Sequence, residues 1–322
     1  MSMACNGCRV VNAQAVDEAG AGWLMAEDVF TAERYKGNPL AVVFGADALS
    51  DDEMQTIAIE FNLSETIFLS APEHVSHSAA VRIFTPGGEL PFAGHPTVGA
   101  SIALAERQHG DDADIDMVTV LAEKIGPVRC AVKLKPGAAS FAEFDLPKLS
   151  RRSEEVIARE KLADALGISP SEIGFENHVP TIWSAGVPFA MIPLRNLSVV
   201  EKVEFDQRQW LSFAPLVDGL PVWAYPYTRG GVRHDAHFHV RMFAAETIEE
   251  DPATGSAAAA FSGAIQHFDA PGEGSHTFVI EQGVEMGRPS YIRLNLETGA
   301  AGEITAARIG GQAVRVARGT LL

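Results

Sequence analysis

Apolar and polar positions alternate in short runs along much of the chain, and Gly, Pro and Asn close the runs, which is the period of strands with one buried face. Trp23 to Phe30 and Leu40 to Phe44 read as two strands joined through a Gly37-Asn38-Pro39 turn, and Thr66 to Leu69 and Ala79 to Phe84 as two more before Gly87-Gly88. Met117 to Leu121, Val128 to Leu134 and Ser140 to Phe144 continue the pattern, followed later by Thr181 to Leu194, Val222 to Tyr225 and Phe238 to Phe243. Helical spacing breaks in at Met54, Ile57, Ala58 and Phe61, where Ser50 and Glu53 form a capping box and Asn62 stops the helix. Lys148 to Glu160 is strongly charged and predicts an exposed helix from about Ser153.

Two helical stretches have no polar face at all. Pro96 to Ala105 and Pro252 to Phe268 carry no charged residue, so each is expected to be enclosed by protein on every side, with its Pro at a first-turn position and Gly110 ending the first. The strands before them match, Val81-Arg82-Ile83-Phe84 against Val240-Arg241-Met242-Phe243, at a separation near half the chain. This predicts an internal duplication. The resulting α+β architecture has a loose extension over 1–20, a first half over 21–147 and a second over 148–311. A strand over 312–322 is a candidate to pack back on the first half. Two buried helices, each preceded by a polar residue and Pro (His95-Pro96, Asp251-Pro252), are expected to aim their amino ends into a shared cleft, where unpaired N–H groups suit a carboxylate or a developing enolate.

Composition narrows the function. A formal net charge of −17 repels nucleic-acid backbones and anionic lipid, which argues against both as partners. No uncharged apolar run approaches the ~20 residues of a membrane span, and the first residues lack the apolar core of a signal peptide. The three cysteines form no disulfide framework, and Cys5-Asn-Gly-Cys8 lacks the second pair that zinc requires, so a cytoplasmic setting is expected. His237 and His239 would share a strand face in His234-Asp235-Ala236-His237-Phe238-His239, but without a carboxylate at ligand spacing a loop entering a strand is the stronger reading. No dinucleotide fingerprint, P-loop or Gly-x-Ser-x-Gly elbow is present.

The stretches Asn62-Leu63-Ser64-Glu65-Thr66, Glu89-Leu90-Pro91-Phe92-Ala93-Gly94-His95-Pro96-Thr97 and Glu250-Asp251-Pro252-Ala253-Thr254-Gly255-Ser256-Ala257 resemble the PhzF-like family of phenazine-biosynthesis proteins. Asp28-Val29-Phe30, Gly37 to Val43, Met54 to Ala58 and Arg82 to Pro86 extend the resemblance over nearly all of the chain after residue 20. The resemblance implies a diaminopimelate-epimerase-like fold, each half wrapping a mixed, barrel-like sheet around its central helix, and assembly as a homodimer. It also implies an isomerase without metal or organic cofactor, acting on a small anionic substrate. Glu65 matches the family's proton-carrying glutamate. His95, Asp251 and Ser256 match its other cleft residues, and Gly94 and Gly255 its backbone donors.

The sequence therefore offers Glu65, His95 and Asp251 as catalytic candidates, with Ser64, Gly94, Thr254, Gly255 and Ser256 as substrate-binding candidates and no metal ligand. Burial beside Leu63, Ile67 and Phe92 would raise the pKa of Glu65 and suit it to act as acid and base in turn. Asp251 before Pro252 also has the form of a plain helix cap. Neither helix start contains Cys, which excludes the paired-thiol mechanism of the fold's epimerases. Two other readings stay open: an epimerase or racemase pairing Glu65 with a group such as Asp251, and a small-acid-binding protein without chemistry.

Overall fold

The computed structural model describes residues 9–10, 22–110, 112–244 and 250–321. Cys5, Cys8 and most of the expected extension lie outside them. Arg9–Val10 form a short strand, β1, paired in parallel with Met117 and Val118. The chain divides into two compact units, residues 1–147 with 310–322, and residues 148–309.

In the first unit β2 (Trp23–Val29), β3 (Asn38–Phe44), helix α1 (Asp51–Phe61), β4 (Glu65–Ser70), β5 (Ala79–Thr85), β6 (Gly88–Leu90), helix α2 (Gly94–His109), β7 (Ile115–Glu123), β8 (Gly126–Leu134) and β9 (Ser140–Asp145) follow in order. Parallel pairs β3–β4 and β5–β7 alternate with antiparallel pairs β2–β3, β4–β5, β7–β8 and β8–β9. The final strand, β19 (Ile304–Thr320), pairs with β9 and, through Ala313 to Thr320, with β2, which closes the sheet into a ring. Closure removes the exposed edges that a mixed sheet would otherwise present.

Helix α2 fills this ring. Every residue from Gly94 to Ala105 is buried, as the absence of charge demanded. Gly99 permits the fit, because a Cβ there would lie 2.5 Å from the Leu40 side chain. Outside the ring, α1 packs Met54 and Ala58 against Val43, Phe68 and Phe84. Its capping box forms as expected: the Ser50 hydroxyl accepts from the Glu53 amide and the Glu53 carboxylate accepts from the Ser50 amide. Asn62 ends the helix in the left-handed region at φ 50°, and Gly110 ends α2.

The second unit contains β10 (Arg151–Arg152), α3 (Arg159–Leu166), β11 (Thr181–Ser184), β12 (Pro188–Pro193), α4 (Leu197–Glu201), α5 (Gln207–Phe213), the hairpin β13 (Leu216–Val217) and β14 (Leu220–Pro221), β15 (Trp223–Arg229), β16 (Phe238–Val240), α6 (Gly255–Asp269), β17 (Gly274–Gln282) and β18 (Ser290–Thr298). The helix expected from Ser153 starts later, at Arg159. Arg151 and Arg152 instead pair as an edge strand with Ser184 and Trp183, so tertiary pairing overrides local charge pattern. Thr181 to Leu194 is two strands folded back on each other.

Pairings in this unit repeat those of the first: β11–β12 antiparallel, β12–β15 parallel, β15–β16 antiparallel, β16–β17 parallel and β17–β18 antiparallel. The fold is α+β, and each unit wraps a mixed sheet around one buried helix. Here α6 takes that place, with Gly263 allowing close approach because a Cβ would lie 2.3 Å from the Trp183 ring. Pro96 lies in the first turn of α2, two residues after its start at Gly94, whereas α6 begins at Gly255, beyond Pro252, so the expectation for Pro252 needs correction. Among the described residues, no helix is long and apolar enough to cross a membrane.

Candidate active site

In the first unit, the left-handed turn at Asn62 redirects the chain into β4, whose first residue is Glu65. Register places Glu65 beside Leu40 of β3, and Ser64 lies one step earlier, partly exposed. The Glu65 side chain is 16% exposed, and its Oε2 lies 3.4 Å from Nδ1 of His95, the second residue of α2. The two sequence candidates of this unit therefore meet at one point.

Burial pushes the His95 imidazole down to about 3, against the opposing pull of a hydrogen bond with the Pro39 carbonyl. The ring is thus neutral at every physiological pH, and its buried Nε2 has no hydrogen-bond partner among the described residues. The N-cap, Ala93, makes no side-chain cap bond to the first α2 amides, among them that of Gly94.

In the second unit, Asp251 and Thr254 are buried, Gly255 opens α6, and Ser256 is the one partly exposed residue of its first turn. The cap of α6 is Thr254, with no side-chain cap bond, and Asp251 lies ahead of the helix. The plain-cap expectation for Asp251 therefore fails. Its Oδ2 accepts from the Thr254 hydroxyl at 2.5 Å, and its backbone N–H donates to Met242. Gln282, at the end of β17, ties these groups together: Nε2 donates to the Asp251 carbonyl (2.7 Å) and the Thr254 hydroxyl (3.0 Å), while Oε1 accepts from the Thr254 amide (3.2 Å).

The loop before each helix is clamped in the same way. Arg82 makes a two-pronged ion pair with Glu89, both bonds at 2.7 Å, and Arg241 does the same with Glu250 at 2.7 and 2.8 Å. Each guanidinium also covers the Phe two positions on, Phe84 or Phe243. Arg82 matches Arg241 and Glu89 matches Glu250, and although the segment between them is two residues longer in the second unit, the stretches from Glu89 and Glu250 onwards align residue by residue. His95 corresponds to Ser256, Leu90 to Asp251, Ala93 to Thr254 and Gly94 to Gly255.

The strands fix one more correspondence. Arg82 faces Phe68 across β4 and β5, while the Arg241 amide donates to the Pro226 carbonyl, with Tyr227 opposite Val240. Trp223 therefore occupies in the second unit the strand start that Glu65 occupies in the first, and it pairs with Phe189 of β12 as Glu65 pairs with Leu40 of β3. The duplication has kept the scaffold and placed a carboxylate at this strand start in the first unit only.

Other chemical candidates are accounted for. His239 lies between Glu281 (2.7 Å) and Glu285 (2.8 Å) as a buried ion triplet. The ligand atoms of Glu176, His178 and Asp269 lie within 4.8 Å of one another, but the Arg229 guanidinium donates to both carboxylates, at 2.8 and 2.7 Å, and supplies the positive charge there. Cys130 is wholly buried, and burial pushes its thiol up to about 12, which removes it as an acid or base.

The family model for phenazine biosynthesis-like proteins matches residues 27–319. The chain belongs to the PhzF family. A relative from Mesorhizobium japonicum, named as an uncharacterised isomerase, is 53% identical over 91% of this chain and 96% of its own. The trans-2,3-dihydro-3-hydroxyanthranilate isomerase of Pseudomonas chlororaphis is 33% identical over 92% of this chain and 97% of its own. The crystal structure of a Bacillus anthracis PhzF-family protein superposes with a TM-score of 0.82 at 24% identity, covering 94% of this chain and 99% of that one, and so supports the fold. This PhzF-family chain is an isomerase.

Sequence reasoning missed Gln282, the two Arg–Glu clamps, and Glu123 with Thr97. A signal for Glu123 was present. In β7 the buried positions Met117, Thr119 and Leu121 alternate with less buried ones, and the same alternation carries Glu123 inward.

Proposed function

We propose that this isomerase moves a proton between two carbons of a small, carboxylate-bearing, cyclic unsaturated substrate, with Glu65 removing and returning it. The observation that carries the reading is the asymmetry of the duplication: Glu65 stands where Trp223 stands in the second unit, and His95 where Ser256 stands. A single carboxylate at that strand start suits one group acting as base and then acid on one face. A two-base epimerase would need a second acid/base group on the opposite face, for which Asp251 is the candidate. The Pseudomonas relative is named for a substrate of this class, a dihydroanthranilate.

In this mechanism ionised Glu65 accepts a proton from a carbon activated by the neighbouring unsaturation. The electron pair spreads into the conjugated system, and protonated Glu65, its acid hydrogen exchanging with solvent, delivers a proton at another carbon. Neutral His95 presents Nε2 to the substrate without adding charge, and the uncapped start of α2, with the Gly94 amide, stabilises the anion formed between the steps. Ser64 shapes the approach to Glu65. Asp251, Thr254, Gly255 and Ser256 bind substrate at the start of α6, Asp251 being oriented through Thr254 and Gln282. A homodimer is proposed on the family resemblance, and light scattering measures it.

The deciding experiment follows solvent deuterium into trans-2,3-dihydro-3-hydroxyanthranilate and other cyclic unsaturated amino acids, with native enzyme and Glu65→Gln. Label at a new carbon, lost by roughly 10²–10⁴-fold in the variant, is expected. Label at the original stereocentre supports an epimerase. Undiminished exchange in Glu65→Gln removes this carboxylate from the mechanism.

A further inference from the structure

Glu123 ends β7 inside the first unit, 7% exposed, and its Oε1 lies 2.8 Å from the Thr97 hydroxyl in the first turns of α2. That hydroxyl also lies 2.7 Å from the Ala93 carbonyl. A threonine hydroxyl has one hydrogen, and a carbonyl oxygen can only accept. Each of the two bonds has a hydrogen of its own only when Glu123 is protonated and donates to Thr97, leaving the Thr97 hydrogen for Ala93. The bonds then run in one direction, from Glu123 to Thr97 to Ala93, the N-cap of the helix that bears Gly94 and His95.

The second unit contains a comparable chain of donors, headed by Gln282 and passing through Thr254, which aligns with Ala93 and not with Thr97. Parallel pairing sets Leu121 beside Ala79 and Ile280 beside Phe238, so the strand ends Glu123 and Gln282 correspond. Gln282 Nε2 donates to the Thr254 hydroxyl, which donates to Asp251. A carboxamide always has hydrogens to give, whereas a carboxyl group has one only when protonated. The duplicated scaffold thus asks for a donor at this strand end.

We propose that Glu123 is a positioning residue that works as a neutral acid, holding the start of α2, and with it His95 and the Gly94 amide, as Gln282 holds the start of α6. Loss of its proton releases that hold and lowers turnover on the alkaline side. The role of α2 in turnover rests on the function proposed above; the protonation of Glu123 does not.

Burial raises the Glu123 pKa to about 8, and only the hydrogen bond that the Thr97 hydroxyl can donate to the ionised carboxylate opposes this. An ionised carboxylate here would also leave Oε2 buried with no hydrogen-bond partner. On β8, Cys130 feels its charge, but that thiol stays protonated through the same range. On α2, His95 is already neutral above about pH 3. Neither group accounts for a transition near pH 8.

Protein carrying ¹³C-carboxyl glutamate and ¹⁵N amides, as native chain and Glu123→Gln, tests the proposal by NMR. One carboxyl resonance, missing from Glu123→Gln, should move with a midpoint near pH 8, and the Gly94, His95 and Thr97 amides should shift with the same midpoint only in the native chain. Deuterium exchange into the dihydroanthranilate should fall above pH 8 in native enzyme and show no such limb in Glu123→Gln, while Glu123→Leu loses at least tenfold that Gln restores. A Glu123 resonance already ionised at pH 6, or amide shifts that persist in Glu123→Gln, would overturn the proposal whether or not Glu65 proves catalytic. An alkaline limb unchanged in Glu123→Gln would overturn its link to turnover.

Discussion

His95 Nδ1 stands 3.4 Å from Glu65 Oε2, with the imidazole 3% exposed and held neutral. A cationic ring at this distance would stabilise ionised Glu65 and weaken it as a base. A neutral ring places no charge beside the carboxylate while still offering a polar contact.

His95 should make the fold sensitive to acid. Its folded pKa of about 3 lies below the ordinary 6.5, so between these values the unfolded chain binds more protons. Its contribution is present above pH 6.5 and is lost as pH falls towards 3. Native protein should therefore lose stability faster than His95→Gln over this window, by about 2 kcal/mol at pH 5, in urea titrations at several pH values.

Glu123 should act in the opposite sense. With its pKa raised to about 8 from an ordinary 4.5, the folded chain binds the extra proton, and its contribution is full below 4.5 and lost as pH rises through 8. Glu123→Gln should be more stable than native protein at pH 8, by on the order of 2–4 kcal/mol, and close to it at pH 4.5. Thermal melts at the two pH values measure the difference.

The buried His239 triplet predicts a second alkaline loss. Burial alone would push this imidazole down, but its hydrogen bonds to Glu281 and Glu285 outweigh that and lift it to about 9. Its stabilisation is full below pH 6.5 and disappears as pH passes 9. His239→Gln should narrow the stability gap between pH 6.5 and 9.5 by on the order of 2 kcal/mol, read from urea midpoints.

Arg241 and Glu250 form the more buried of the two clamps, with side chains 10% and 16% exposed; Arg82 in the other is 28% exposed. Arg241→Met leaves Glu250 without its counter-charge and should cost about 3–5 kcal/mol, whereas Arg82→Met should cost less. Adding Glu250→Leu to Arg241→Met should recover part of the loss, since the stranded carboxylate is then gone. Chemical unfolding of the single and double variants reads the coupling.

Much of the scaffold was legible because it rests on local rules. Ser50 and Glu53 satisfy each other's backbone, Asn62 tolerates the left-handed turn, and a helix without charge from Pro96 to Ala105 has no stable place except inside. The matched Val81 to Phe84 and Val240 to Phe243 announced the duplication, and family motifs named Glu65, His95 and Asp251. The helix expected near Ser153 failed because Arg151 and Arg152 take a strand position beside β11 that no local pattern reveals.

The sequence by itself determined the elements, the repeat and the residue types brought to the site, since each depends on neighbours within one turn or one strand period. Only the tertiary structure decided that Asp251 stands ahead of α6, that Gln282 and Glu123 end corresponding strands, and that Trp223 replaces Glu65 in the second unit. These relations join residues far apart along the chain. Strand register and burial settle them, and those quantities exist only once the sheets have closed around their helices.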